Sequence, residues 1–189
     1  EMFKYISYDE VMKLNCRVFM AIDTAISQKN NADYTGISIV FVDREGFWNV
    51  MTFKRRMTPK ELLDFIFEYW EKYKIEETGI EKTTFQMALK EFFEEEMRKR
   101  GKFPRIVDLL HRGQKKEERI RGELLGRYES GSIRHITNYT EGLEEELLAF
   151  PGSRNDDVID SFSYMPQIAK SPFSKVHTIV RAMPIDNFA

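Results

Sequence analysis

Apolar positions recur along this chain in two rhythms: short unbroken runs, and longer stretches with a period of three to four. Residues 17–22 read RVFMAI and lead into Asp23. A short, continuous apolar run of this kind predicts a central strand covered on both faces. The polar stretch 27–33 has no period and predicts a loop. Residues 37–42 (ISIVFV) and 47–53 (FWNVMTF) are rich in β-branched and aromatic side chains, and the turn at 43–46 between them predicts a hairpin. Thr58, Pro59 and Glu61 form a capping-box signature, after which Leu62, Leu63, Ile66, Tyr69, Trp70 and Tyr73 share one helical face up to about Lys74. A short strand is expected at 78–83. A helix is expected at 85–100, with Phe85, Ala88, Leu89, Phe92 and Phe93 inward and Gly101 just past its end. Residues 106–110 (IVDLL) predict a further strand, and 115–128 a helix with Ile120, Leu124 and Tyr128 at helical spacing. A short helix over 141–150 stops at Pro151, and Asn155 is expected to cap a last helix running to about residue 169. The order of elements predicts an α/β fold with a mixed sheet, an antiparallel hairpin on one side and parallel strands joined by helices on the other.

Composition narrows the class. The 189 residues suffice for one domain with a real core. Lys plus Arg is 29 and Asp plus Glu is 31, a net charge of −2, yet residues 98–134 hold twelve Lys/Arg against five Asp/Glu. A local excess of that size suits a phosphate-facing surface, while the commoner use of a charge run is a solvated helix face. The single cysteine, Cys16, rules out an intrachain disulfide and a CxxC zinc site. No apolar run approaches a membrane span. No signal peptide is visible, and a chain opening on Glu1 is expected to be a piece of something longer.

Three acidic places stand out. Asp23 follows a buried strand, at the sheet edge where open α/β proteins bind ligands. Glu81 lies in the short strand near Gly79, where chains can approach closely. Asp156, Asp157 and Asp160 open the last helix, with spacings of three and four that put each pair with Asp160 on one face. Taken singly, a strand-end acid caps a turn and a first-turn acid complements a helix dipole. Carboxylates gathered from distant parts of a chain repel one another, and hard divalent cations such as Mg²⁺ or Mn²⁺ satisfy them. His111, His135 and His177 are scattered and read as surface or packing residues. The aromatic side chains of 65–70 and 92–93 fall at helical spacing and read as core.

Four sequence words in order, AIDTA (21–25) with DYTGISIV (33–40), GIEKT (79–83), KEERI (116–120) and NDDVIDSFSY (155–164), resemble the ribonuclease H-like nuclease domain of bacteriophage large terminases. The resemblance spans roughly residues 17–169, with 1–16 a lead-in from a preceding ATPase domain and 170–189 a tail. Asn155 stands where that family often has a histidine. The resemblance implies a metal-dependent endonuclease that cuts double-stranded DNA during genome packaging in the host cytoplasm. Asp23 would bridge two divalent ions, Mg²⁺ or Mn²⁺, and Glu81 would bind one. Asp157, with Asp156 as close rival, would complete the site, and Asp33 and Asp160 would be auxiliary ligands or lie just behind them. Such ions sit about 3.5–4 Å apart across the scissile phosphate. Lys115, Lys116 and Arg119 would face the DNA backbone, and Arg154 would touch phosphate or merely form a turn. No GxxxxGK[ST] loop occurs, so the family's ATPase motor would be a separate, preceding domain, and its portal and small subunit would be further partners. Two other readings stay open: another nuclease on the same fold, such as a junction resolvase or transposase, or a catalytically silent module that binds nucleic acid or protein.

No base-reading helix or zinc finger is evident, so sequence-tolerant duplex binding through phosphates is expected, weakening steeply with salt. Replacing Lys116 and Arg119 together by Ala should lower the salt slope of DNA binding by about 0.9 for each phosphate they neutralise, with Mn²⁺ affinity by calorimetry unchanged. An unaltered slope would show that this helix is only solvated.

Overall fold

Val18, Met20 and Ile22 alternate with Phe19, Ala21 and Asp23. In the computed structural model, which describes residues 3–24, 34–81, 84–110, 116–152 and 156–170, that alternation sorts them onto opposite faces of one sheet. In chain order the elements are β1 (Lys4–Ile6), α1 (Tyr8–Lys13), β2 (Arg17–Asp23), β3 (Thr35–Val42), β4 (Trp48–Arg55), α2 (Pro59–Tyr73), β5 (Glu77–Glu81), α3 (Thr84–Arg100), β6 (Ile106–Leu109), α4 (Lys116–Glu129), β7 (Ile133–Ile136), α5 (Glu141–Ala149), α6 (Asp157–Ser163) and a 3-10 turn at Met165–Gln167. The seven strands lie in the order β1-β7-β4-β3-β2-β5-β6. Only β3 runs against its neighbours; β5 and β6 continue parallel from β2, and β7 and β1 parallel from β4. The expected mixed sheet is therefore observed.

Each face has its own core. On one, Val18, Met20, Ile22, Ile37, Ile39 and Met51 pack against Val11 of α1, Leu62, Leu63 and Ile66 of α2, and Phe93 of α3. On the other, Phe19, Ala21, Val40, Trp48 and Val50 pack against Ile120 and Leu124 of α4, Leu143 of α5 and Phe162 of α6. Each such side chain contributes about 1.5–3 kcal/mol when fully buried. Local signals fix the ends: the Thr58 side chain accepts from the Glu61 amide, the Glu61 carboxylate accepts from the Thr58 amide at 2.7 Å, and Lys74 closes α2 in the left-handed region.

The structure departs from the sequence pattern in four places, the first being α1 at Tyr8–Lys13, where no helix is expected. β1 and β7 are three and four residues long, too short for a period to announce them, and they widen the sheet on the β4 side. The last helix is not continuous to residue 169: α6 ends at Ser163 and a 3-10 turn follows, because Pro166 has no amide to donate and its ring clashes with the preceding turn. The N-cap position of α6 is Asp156, and its side chain makes no cap hydrogen bond; Asn155 lies outside the described residues.

One close approach decides where α6 sits. Gly36 on β3 faces its first turn, and a Cβ built there would fall 1.9 Å from the Asp157 carbonyl oxygen. The neighbouring Ser38 and Ser161 hydroxyls hydrogen-bond at 2.7 Å, both fully buried. Gly36→Ala should therefore lift the start of α6 off the sheet and cost about 1–3 kcal/mol, as overpacked sites do. Thermal or denaturant melts measure this, and a variant as stable as wild type would show that the contact yields freely.

Candidate metal centre

Strand parity gathers the acids. Counting by twos from the core residues Phe19 and Ala21 puts Asp23 on the α6 side of β2. The same count puts Glu81 on that side of β5, since Gly79 there packs on Leu109, which belongs to the α6-side core. It also puts Lys54 on that side of β4, two residues beyond Thr52 and four beyond Val50. Asp23 pairs with Gly36 and Gly36 with Lys54, so these three residues form one row across the sheet. β2, β4 and β5 are mutually parallel, so Asp23, Lys54 and Glu81 all lie towards the same edge. α6 begins over that row and brings Asp157 and Asp160.

Asp23 is partly buried, and burial, a hydrogen bond with Glu81 and the charges of Glu81, Asp160 and Asp157 push its carboxyl up to about 9. At neutral pH the Asp23–Glu81 pair therefore holds a proton between its two carboxyls. The Tyr164 hydroxyl donates to Glu81 Oε1 at 3.0 Å and holds that carboxylate from the other side. Asp157, whose charge also acts on Asp23, has its Oδ2 3.1 Å from Lys54 Nζ. Lys54 Nζ also lies 2.9 Å from Glu146 Oε1, and the other Glu146 oxygen accepts from the amides of Val158 (3.0 Å) and Ile159 (2.8 Å). Burial alone lowers the basicity of Lys54, but the Glu146 and Asp157 carboxylates outweigh it and hold the ammonium above its ordinary value. Burial raises Glu146, with Lys54 and the Ile159 amide opposing.

The structure thus brings Asp23, Glu81, Asp157 and Asp160 to one corner, with Asp156 at the adjoining N-cap. Among the described residues no three His, Cys, Asp or Glu side chains already form a ligand cage. The donors are all carboxylate oxygens, the chemistry that suits Mg²⁺ or Mn²⁺. Asp33, Lys115 and Arg154 lie outside the described residues, as do the side chains of Lys116 and Arg119, whose backbones form the start of α4. Sequence reasoning missed Lys54, Glu146 and Tyr164. Parity along β4 pointed Lys54 inward, but a lysine at a strand end reads as solvated.

Other candidates resolve as structural. His135, on β7 and three strands from β2, is fully buried between the Tyr128 hydroxyl (2.9 Å) and Glu144 Oε1 (2.8 Å), and burial lowers its basicity. Burial raises the Cys16 thiol to about 11, which leaves it unreactive. Of the helical aromatic residues, Phe65, Phe67 and Phe93 are buried in the core.

This arrangement of hairpin, parallel strands and flanking helices is the ribonuclease H-like fold. No protein-family model and no curated protein matches the chain. Among solved structures it resembles the large terminase nuclease of thermophilic phage G20c, determined with bound zinc, at 16% identity and a TM-score of 0.62, covering 88% of this chain and 94% of that one. It also resembles the large terminase nuclease domain of Thermus phage P74-26, at 13% identity and a TM-score of 0.56, covering 86% and 89%.

The raised Asp23 carboxyl has a thermodynamic consequence. The folded chain holds a proton that the unfolded chain, with an ordinary carboxylate near 3.8, releases. That contribution is fully present at low pH and is lost as pH rises from about 4 to about 9. Metal-free Asp23→Asn, which needs no proton, should melt above wild type at pH 8, with the gap closing as pH falls towards 4. Equal melting at pH 8 would show that no proton is held there.

Proposed function

We propose that this chain is a divalent-metal-dependent endonuclease acting on double-stranded DNA, and that it serves as the cutting domain of a phage genome-packaging machine. The observation that carries the reading is the meeting of Asp23, Glu81, Asp157 and Asp160 at one sheet edge, on a fold shared with two terminase nucleases. Asp23, Glu81 and Asp157 would hold the ions, with Asp160 and Asp156 beside them. Divalent ions held there, Mg²⁺ or Mn²⁺ and two in number, would supply activation of water and stabilisation of the leaving oxygen in phosphodiester hydrolysis.

The chain's own residues do the rest. The proton between Asp23 and Glu81 must leave as a cation enters, so metal uptake releases a proton and strengthens with pH. Tyr164 keeps Glu81 oriented. Arg56 stacks over the exposed Tyr34 ring at 4.6 Å, and Lys54 lies over the same ring at 5.3 Å, so Arg56 stands beside the acidic corner, whereas Arg55 turns to the opposite face over Phe53 and Phe65. Arg56 would receive the phosphate backbone. By the family resemblance, Lys116 and Arg119 of α4 would add further phosphate contacts. In this reading an ATPase motor, a portal and a small subunit are the partners, and the work takes place in the host cytoplasm. Among the described residues no helix is long and apolar enough to cross a membrane.

Duplex plasmid, a four-way junction and an RNA–DNA hybrid, each incubated with Mn²⁺, test the reading. Wild type should cut the duplex, and Asp23→Asn should lose cutting while keeping its fold by circular dichroism, since Asn is the same size but not an anionic ligand. Preference for the junction would move the function to a resolvase. Failure to cut any of the three would leave a silent binding module.

A further inference from the structure

We propose that Lys54 and Glu146, which no ligand role requires, are positioning residues that set the Asp157 carboxylate for the metal site; the proposal rests on the metal-dependent reading above. Three observations carry it. Glu146 is buried at 5% exposure, yet it comes from a different helix, α5, to accept the second and third amides of α6, those of Val158 and Ile159. It does so where the N-cap residue of α6, Asp156, makes no side-chain cap of its own. Its second oxygen grips Lys54, and Lys54 in turn grips Asp157.

These contacts tie three elements, β4, α5 and α6, at the one point where α6 delivers its acids. They also balance charge. Lys54 stands against Asp157 where four carboxylates would otherwise face each other unrelieved. Glu146 cancels the lysine, so the pair adds no net positive charge to oppose an arriving cation. Removing Lys54 leaves Glu146 and Asp157 without their counter-charge, and removing Glu146 leaves Lys54 with Asp157 alone and two α6 amides without their acceptor. The pair's demand is therefore geometric as well as electrostatic: Asp157 must reach both its lysine and the ion.

A double-mutant cycle tests this on the metal-free chain and in Mn²⁺ titrations. Lys54→Met and Glu146→Gln should each lower the melting temperature, and Lys54→Met/Glu146→Gln should recover most of the loss, because an uncharged pair of similar size replaces an ionic one. Mn²⁺ affinity by calorimetry should behave differently: about tenfold weaker in both single variants, as for residues that orient metal ligands, and not recovered in the double variant. Recovery of Mn²⁺ affinity along with stability would overturn the positioning role and leave a purely structural ion pair. Wild-type affinity in the single variants would overturn it as well. A wild-type chain that takes up no Mn²⁺ would overturn the metal reading itself, and a stability cycle without coupling would overturn the pair while leaving that reading standing.

Discussion

The first turn of α6 lies directly on the backbone of β3 at Gly36, and the acidic corner depends on that contact. A side chain there would overlap the Asp157 carbonyl. With hydrogen in its place, the helix comes close enough for Ser161 to bond Ser38 and for Asp157 and Asp160 to act on Asp23, which pairs with Gly36 across the sheet. Backbone proximity comes first; the meeting of charges follows from it.

Four carboxylates in one partly dehydrated corner repel one another; burial and its neighbours' charges raise the Asp23 carboxyl, which favours a proton held with Glu81, and the Lys54 ammonium is set against Asp157. In the metal-dependent reading proposed above, a divalent cation would displace that proton and take carboxylate oxygens that the lysine leaves open. Such sites hold stability below its maximum, since the geometry that suits a cation is unfavourable without one.

Around this corner the fold is conventional in its physics. Alternation along β2 serves two separate cores, so a one-residue slip would carry Asp23 to the opposite face, away from Glu81 and α6. Trp48 and Phe162 meet edge to face at 6.2 Å and couple β4 to the helix that carries the acids. The His135 cluster, by contrast, ties β7 to α4 and α5 through Tyr128 and Glu144 and contributes stability rather than chemistry.

Local pattern determined a good deal. The apolar run before Asp23, the hairpin, the capping box at Thr58 and the period of the flanking helices depend on neighbouring residues alone, and they gave the mixed α/β architecture and the acidic positions. The order of sequence words pointed to the fold family that the structural neighbours share. Tertiary structure decided the rest. β1 and β7 exist because partner strands complete their hydrogen bonds, not because three or four residues prefer to be extended. Asp157 and Asp160 join Asp23 because a glycine 121 positions earlier in the chain leaves room for a helix. Lys54 and Glu146, ordinary surface residues by type, are drawn inward because β4, α5 and α6 meet where a backbone end needs an acceptor and a carboxylate needs a counter-charge. Sequence spacing carries preferences of period and propensity; the pairing of distant charges is set only when the sheet register and the helix approach are fixed in three dimensions.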